Sequence, residues 1–180
     1  KSLYKQFITL RDRGKKDPKK NIHTELGYNW RMAEITALLG IQQVKKARQV
    51  LQERRMQAKL YDKLLINCSN LKLQKIPAKV KSSYYKYIIF VNRSIRDKIK
   101  KDMYSNFGIN LPGEVYRSLC HSQPIIKTNK NIIIKKGDQF FKNAKKISSE
   151  QLCLPLYPGL KEKEIKYIVR SLKKTLNKLI

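Results

Sequence analysis

Gly27-Tyr28-Asn29-Trp30-Arg31-Met32, followed by Ala33-Glu34-Ile35, is the stretch from which the rest of the chain is read. It lies where a polar loop gives way to a long amphipathic segment. Backbone N–H groups at such a helix entrance lack intrahelical partners and attract anions. The stretch gathers a glycine, two aromatic rings, an amide and a guanidinium, and a plain connector needs only the glycine. Asn29 has two roles open to it: bonding its own backbone to shape the turn, or reaching an anion held there. Arg31 is either a surface residue or a fork for carboxylate or phosphate.

Working outward, residues 2–13 read as a short helix with Leu3, Phe7 and Leu10 on one side, ended by Gly14. A polar loop containing Asp17-Pro18 leads to the quoted stretch. From Arg31 a helical pattern runs through Met32, Ile35, Leu38 and Leu39. It resumes after Gly40 at Val44, Ala47, Leu51, Ala58, Tyr61 and Leu65, and we read it as two helices in sequence. Residues 84–91 are rich in aromatic and β-branched side chains and read as a strand. Ser94 with Asp97 signals the start of a helix to about residue 106, closed by Phe107-Gly108. A second strand is expected from Ile109 to Tyr116, then an irregular stretch over 118–138 with an apolar patch at 132–134. A short helix over 140–148 and a short buried strand over 152–156 follow, the strand lying at an edge or ending at its proline. The stripe Ile165, Ile168, Val169, Leu172, Leu176 and Leu179 predicts a helix over 162–179. This order points to a small sheet covered by helices, in the α+β or α/β class.

With 180 residues and 41% apolar content, the chain is long enough for a real core. No run approaches about 18 uninterrupted apolar residues, so no membrane span is expected. There is no secretory signal pattern. The chain opens on Lys1-Ser2 rather than methionine, as a piece of a longer protein would. Cys68, Cys120 and Cys153 are scattered, without disulfide or metal spacing, so a reducing cytoplasm is the expected compartment and no metal site is expected. The net charge of +28 has two readings, a polyanion partner or drift of composition. Its dispersal along the chain favours drift, because nucleic-acid binders gather charge on one face.

No serine or cysteine triad, phosphate loop or dinucleotide fingerprint is present. His23 reads as a surface residue of a polar loop. His121 lies in Tyr116-Arg117-Ser118-Leu119-Cys120-His121-Ser122-Gln123-Pro124, which sets Tyr, Arg, His and Gln on a loop, where binding groups concentrate. A solvated loop with a turn proline explains the same residues equally well.

Taken together, five segments resemble those of the DegT/DnrJ/EryC1/StrS sugar aminotransferases. Residues 27–32 resemble the family's G-Y-N-x-R-M motif. Leu10-Arg11-Asp12-Arg13-Gly14 resembles L-R-x-H-G, with Arg13 for histidine. The loop 116–124 resembles one ending in H-x-Q-P. Phe141-Lys142-Asn143-Ala144 resembles F-P-N-A, with Lys142 for proline. Residues 152–160, LCLPLYPGL, resemble LPLHPGL, with Tyr157 for histidine. The long helix between carries Arg54-Arg55 and Tyr61-Asp62, also similar to the family. The resemblance spans nearly the whole chain in the family's order.

The resemblance implies the C-terminal portion of a fold-type-I aminotransferase that uses pyridoxal 5'-phosphate. Residues 1–35 would end the large cofactor-binding domain. Residues 36–180 would form the connecting helix and a small domain with a mostly antiparallel sheet. The family works as homodimers with shared active sites and moves an amino group, usually from L-glutamate, onto a nucleotide-linked keto sugar for surface polysaccharide or related glycans. By motif match, Asn29 would reach the cofactor phosphate of the neighbouring subunit and Arg31 an anionic substrate group. Tyr116, His121 and Gln123 would line the sugar pocket, although Glu114-Val115-Tyr116-Arg117 departs from the commoner loop. No lysine here sits in the context of the family's Schiff-base lysine, which would lie upstream of Lys1, so this segment alone is expected to be inactive. Two other readings remain at this point: a basic nucleic-acid-binding protein, supported by charge alone, and a non-catalytic member of the family.

Overall fold

The computed structural model describes residues 2–111, 118–128 and 138–180. Two compact units are present, residues 1–48 and 49–180.

The first unit holds helix α1 (Ser2–Arg11) and the opening turns of α2 (Glu34–Leu65). After α1, Arg13 and Gly14 both take left-handed backbone conformations, φ 57° and 74°. That turn stops the helix where the glycine predicted it. Helix α2 is a single helix of 32 residues, which corrects the expectation of two. Gly40 sits in open space, and its intrinsic cost of about 1 kcal/mol relative to alanine is too small to break a helix hydrogen-bonded on both sides.

The second unit is built on a three-stranded antiparallel sheet in the order β1 (Lys72–Leu73), β2 (Tyr87–Phe90), β3 (Gln151–Leu154). Register is set by Lys72 opposite Phe90 and by Tyr87 opposite Leu154. Along β2, Tyr87 and Ile89 are buried while Ile88 and Phe90 are half-exposed, the alternation of a strand with one face on the core. Strand β3 stops before Pro155, as its proline implied, and lies at one side of the described sheet. Strand β1 is only two residues long, and nothing in the sequence announced it.

Helix α3 (Arg93–Phe107) is capped differently from the expectation. The Asn92 side chain accepts hydrogen bonds from the Ser94 backbone N–H at 3.0 Å and the Ser94 hydroxyl at 2.9 Å. The capping oxygen therefore sits two residues before Ser94, the usual geometry for an asparagine N-cap. Gly108 closes the helix in a left-handed conformation. Residues 109–111 are not in a strand, which corrects that part of the expected second strand. Residues 112–116, and the apolar patch at 132–134, lie outside the described residues. The stretch expected to be irregular carries a 3-10 turn at Cys120–Ser122 and helix α4 (Pro124–Thr128). Helix α5 (Lys142–Glu150) follows a 3-10 turn at Asp138–Phe141.

Helix α6 (Glu162–Leu179) has the predicted boundaries. Its stripe Ile165, Ile168, Val169, Leu172 and Leu176 joins Tyr61, Leu65, Ile89, Ile99 and Met103 in the core. Helices α3 and α6 pack together. Asp102 ties them: it accepts from Thr175 Oγ1 and Lys178 Nζ, each at 2.7 Å. These bonds hold the Asp102 carboxyl below the usual carboxylate range, the Lys178 bond contributing most.

Candidate active site

Two glycines shape the ground on which Asn29 stands. A Cβ on Gly14 would lie 1.7 Å from the Glu25 carbonyl oxygen, and one on Gly27 would lie 2.1 Å from the Gly14 nitrogen. The backbones of residues 13–14 and 25–27 therefore touch, and only glycine allows it. Beyond that contact the chain runs as a short antiparallel pair. Arg13 N–H donates to Tyr28 O at 2.9 Å, Tyr28 N–H to Leu10 O at 2.8 Å, and Trp30 N–H to Arg11 O at 2.9 Å. The L-R-D-R-G and G-Y-N-W-R-M segments are thus the two halves of one clasp, with Asp12 paired opposite Asn29.

The clasp fixes an electrostatic cluster. Asp12 is buried, and its Oδ1 lies 3.5 Å from both Arg13 Nε and Arg31 Nε. Two guanidiniums against one carboxylate leave the cluster net positive. Arg31 Nε also donates to Asn29 Oδ1 at 3.4 Å. That bond uses the acceptor end of the amide, whose other end is a donor. Asn29 is exposed, and the Arg31 side chain is half-exposed. An exposed amide donor beside a guanidinium is a donor set suited to a phosphate. Asp12, which positions Arg31, was not singled out from sequence; its place in the L-R-D-R-G segment was the available signal. Tyr28 and Trp30 flank Asn29 and stack on one another, ring centroids 4.4 Å apart.

In the second unit, His121 stacks on Phe141 at 4.1 Å between centroids, with planes 15° apart. This contact joins the H-S-Q-P loop to the F-K-N-A segment. Gln123 is half-exposed, and its backbone N–H closes the 3-10 turn onto Cys120 O. Tyr116 lies outside the described residues. The L-C-L-P-L-Y-P-G-L segment is anchored to α2. Gln57 Nε2 donates to Tyr157 O and Leu160 O, and Tyr61 Oη–H to Pro155 O at 2.9 Å. Tyr87 Oη–H donates to Asp62 at 2.6 Å. Burial pushes both phenols above their ordinary pKa, Tyr87 with added help from Asp62, so both remain donors at neutral pH. Among the described residues no three of His, Cys, Asp and Glu gather as metal ligands, and no helix is long and apolar enough to cross a membrane.

The pattern of the DegT/DnrJ/EryC1/StrS aminotransferase family matches residues 1–173. An uncharacterized protein of Methanocaldococcus jannaschii is 28% identical over 157 residues, covering 85% of this chain and 39% of that protein. Among solved structures, PseC of Helicobacter pylori, an aminotransferase of pseudoaminic acid biosynthesis, is 23% identical with a TM-score of 0.82, covering 98% of this chain and 47% of that one. NtdA of Bacillus subtilis, solved with bound cofactor PMP, is 21% identical with a TM-score of 0.84, covering 98% of this chain and 40% of that one. TlmJ, an aminotransferase of Streptoalloteichus hindustanus, is 21% identical with a TM-score of 0.80, covering 99% of this chain and 46% of that one. The chain spans less than half the length of each of these relatives.

Proposed function

Because the chain belongs to the DegT/DnrJ/EryC1/StrS aminotransferase family, we propose that it is the C-terminal portion of an enzyme moving an amino group from L-glutamate to a nucleotide-linked keto sugar, for surface polysaccharide or a related glycan. The cofactor is pyridoxal 5'-phosphate, which when bound supplies the electron sink for amino transfer. The observation that carries this reading is the clasp that presents Asn29 and Arg31 on one exposed, net positive surface.

In this reading the amide N–H of Asn29 donates to a phosphate oxygen of the cofactor held by the neighbouring subunit of a homodimer. Arg31, steadied by Asp12, draws an anionic substrate group to the same place. His121 and Gln123, with Tyr116, line the sugar pocket, the imidazole kept in position by its stack on Phe141. Residues 1–35 complete the large domain, and residues 36–180 form the connecting helix and small domain. In this reading none of the lysines of these 180 residues takes the role of the family's Schiff-base lysine. The compartment is the cytoplasm. Unit 1 exposes the large apolar side chains of Leu26, Tyr28, Trp30, Met32, Ile35 and Val44, which in this reading other parts of the larger assembly cover.

The test is spectroscopic. Full-length protein loaded with pyridoxal phosphate is expected to change its visible absorbance band when L-glutamate is added. A screen of nucleotide-linked keto sugars with amino-labelled glutamate then identifies the acceptor. An unchanged band would refute the transferase reading in favour of a non-catalytic family member.

A further inference from the structure

The second unit contains a cavity of about 1040 Å³ that the reading above does not use. Its walls carry Lys72, Arg93, Lys142, Lys145 and Lys146, against the single carboxylate side chain of Glu150 among the described lining residues. The cations come from elements on the two sides of Phe90, which pairs with Lys72 of β1 on one side and with Gln151, the residue after α5, on the other. Lys142, Lys145 and Lys146 are spaced three and four residues apart on α5, so they share one helix face. Lys72 comes from β1 and Arg93 from the first turn of α3. All five of these cationic residues are exposed. The same lining includes apolar Phe90 and Ile95, both half-buried, and the Leu179 end of α6, beside polar Asn70, Asn92 and Ser149; we call the apolar part the floor.

A second cavity, of about 380 Å³, shares Lys145 and Ser149 with the first and adds the buried Arg96 with Ser118, Ser122 and Ser148. Lys145 of α5 thus lines both cavities, and the added Arg96, on α3, lies 3.5 Å from the Asp97 carboxylate. Concentration of cations at a concave surface raises the local potential and selects an anion. A ligand that meets both walls must carry several anionic groups, and one that also covers the floor must carry a ring or other apolar body. The larger cavity is at the upper end of the about 300–1,000 Å³ usual for small-molecule sites.

We propose that this cavity binds an aromatic oligophosphate of the nucleoside triphosphate class, its phosphates between the α5 lysines and Lys72/Arg93 and its ring on the Phe90 floor. The proposal stands independently of the aminotransferase reading. The test is calorimetric titration of the full-length protein with ATP, tripolyphosphate and adenosine. Wild type and a Lys72→Glu/Lys146→Glu double variant are compared, both changes being at exposed positions, one on β1 and one on α5. ATP is expected to bind wild type at least about tenfold more tightly than tripolyphosphate or adenosine alone. The double variant is expected to lose at least about tenfold in ATP affinity, while its melting temperature and its glutamate-dependent absorbance change match wild type. Absent ATP binding, or equal binding by the variant, would overturn the proposal. So would tripolyphosphate binding as tightly as ATP, since the floor would then contribute nothing. Displacement of ATP by a single-stranded oligonucleotide with a steep salt dependence would overturn it in favour of a nucleic-acid groove. Loss of the absorbance change in wild type with ATP binding intact would refute only the transferase reading.

Discussion

Replacing Gly27 with alanine tests whether the clasp is what holds Asn29 in place. The new Cβ would lie 2.1 Å from Gly14 N, 2.7 Å from Arg13 C and 2.8 Å from Gly14 Cα. All three are backbone atoms, so no side-chain rotation relieves the overlap. The 27–30 segment must move away from residues 10–14 and strain or lose the bonds Arg13 N–H to Tyr28 O, Tyr28 N–H to Leu10 O and Trp30 N–H to Arg11 O. At a net ~0.5–1.5 kcal/mol each, the loss is roughly 1.5–4.5 kcal/mol. The lower chain entropy of unfolded alanine offsets ~0.4–1 kcal/mol of it. The expected net destabilisation is therefore roughly 0.5–4 kcal/mol. Gly40→Ala is the matched control: it sits inside α2 with nothing near a Cβ, and should stabilise by ~0.5–1 kcal/mol. Denaturant unfolding of the two variants beside wild type reads both signs. On the proposed role of Asn29, Gly27→Ala full-length protein should also retain less cofactor, since Asn29 moves with the clasp. A Gly27→Ala protein as stable as wild type, or shifted in the same direction as Gly40→Ala, would refute the reasoning.

Asp102→Asn should destabilise by roughly 1–3 kcal/mol, because it removes a charge-assisted bond to Lys178 and weakens that to Thr175. The Asp102 carboxyl is held low by the Lys178 bond first, so its contribution is complete above the ordinary carboxylate range and disappears as pH falls through the lowered value. Thermal melts from neutral to acid pH should therefore show the wild type converging on Asp102→Asn at low pH; a gap that persists there would contradict this. Leu172→Ala, at a fully buried position of α6, should cost roughly 2–5 kcal/mol by denaturant melt, and a loss below about 1 kcal/mol would show a core able to collapse around it.

How much was legible in the sequence depended on whether a feature is local and periodic. Helix α6 was read to its ends because its apolar stripe repeats over five turns and every member is buried or partly buried. Strand β2 was visible from its composition, though it proved shorter than read. Strand β1 was not, since two residues show no period and Lys72-Leu73 pairs only because β2 offers an edge. The division of α2 at Gly40 failed because a local penalty of about 1 kcal/mol was set against a cooperative element. The cap of α3 was placed at Ser94 rather than Asn92, both of which can cap, and the actual start of the helix decides which one does.

The site divides in the same way. Asn29 and Arg31 stood out as chemically unusual neighbours, but their arrangement depends on contacts spanning the loop between Asp12 and Asn29. The fit of Gly14 against Glu25 and of Gly27 against Gly14 appears in sequence only as two glycines thirteen residues apart. The burial of Asp12 between Arg13 and Arg31 left no periodic trace. Likewise the stack of His121 on Phe141 joins two segments some twenty residues apart, a contact that no periodicity announces.

The central claim is that Asn29 donates to the cofactor phosphate, and the dissociation constant of pyridoxal phosphate for Asn29→Ala full-length protein tests it most directly. Loss of one hydrogen bond to a charged group, worth ~1.5–3 kcal/mol, predicts cofactor binding weakened by roughly ten- to a hundredfold with an unchanged melting curve of the apoprotein. Cofactor affinity equal to wild type in a correctly folded Asn29→Ala protein would contradict it.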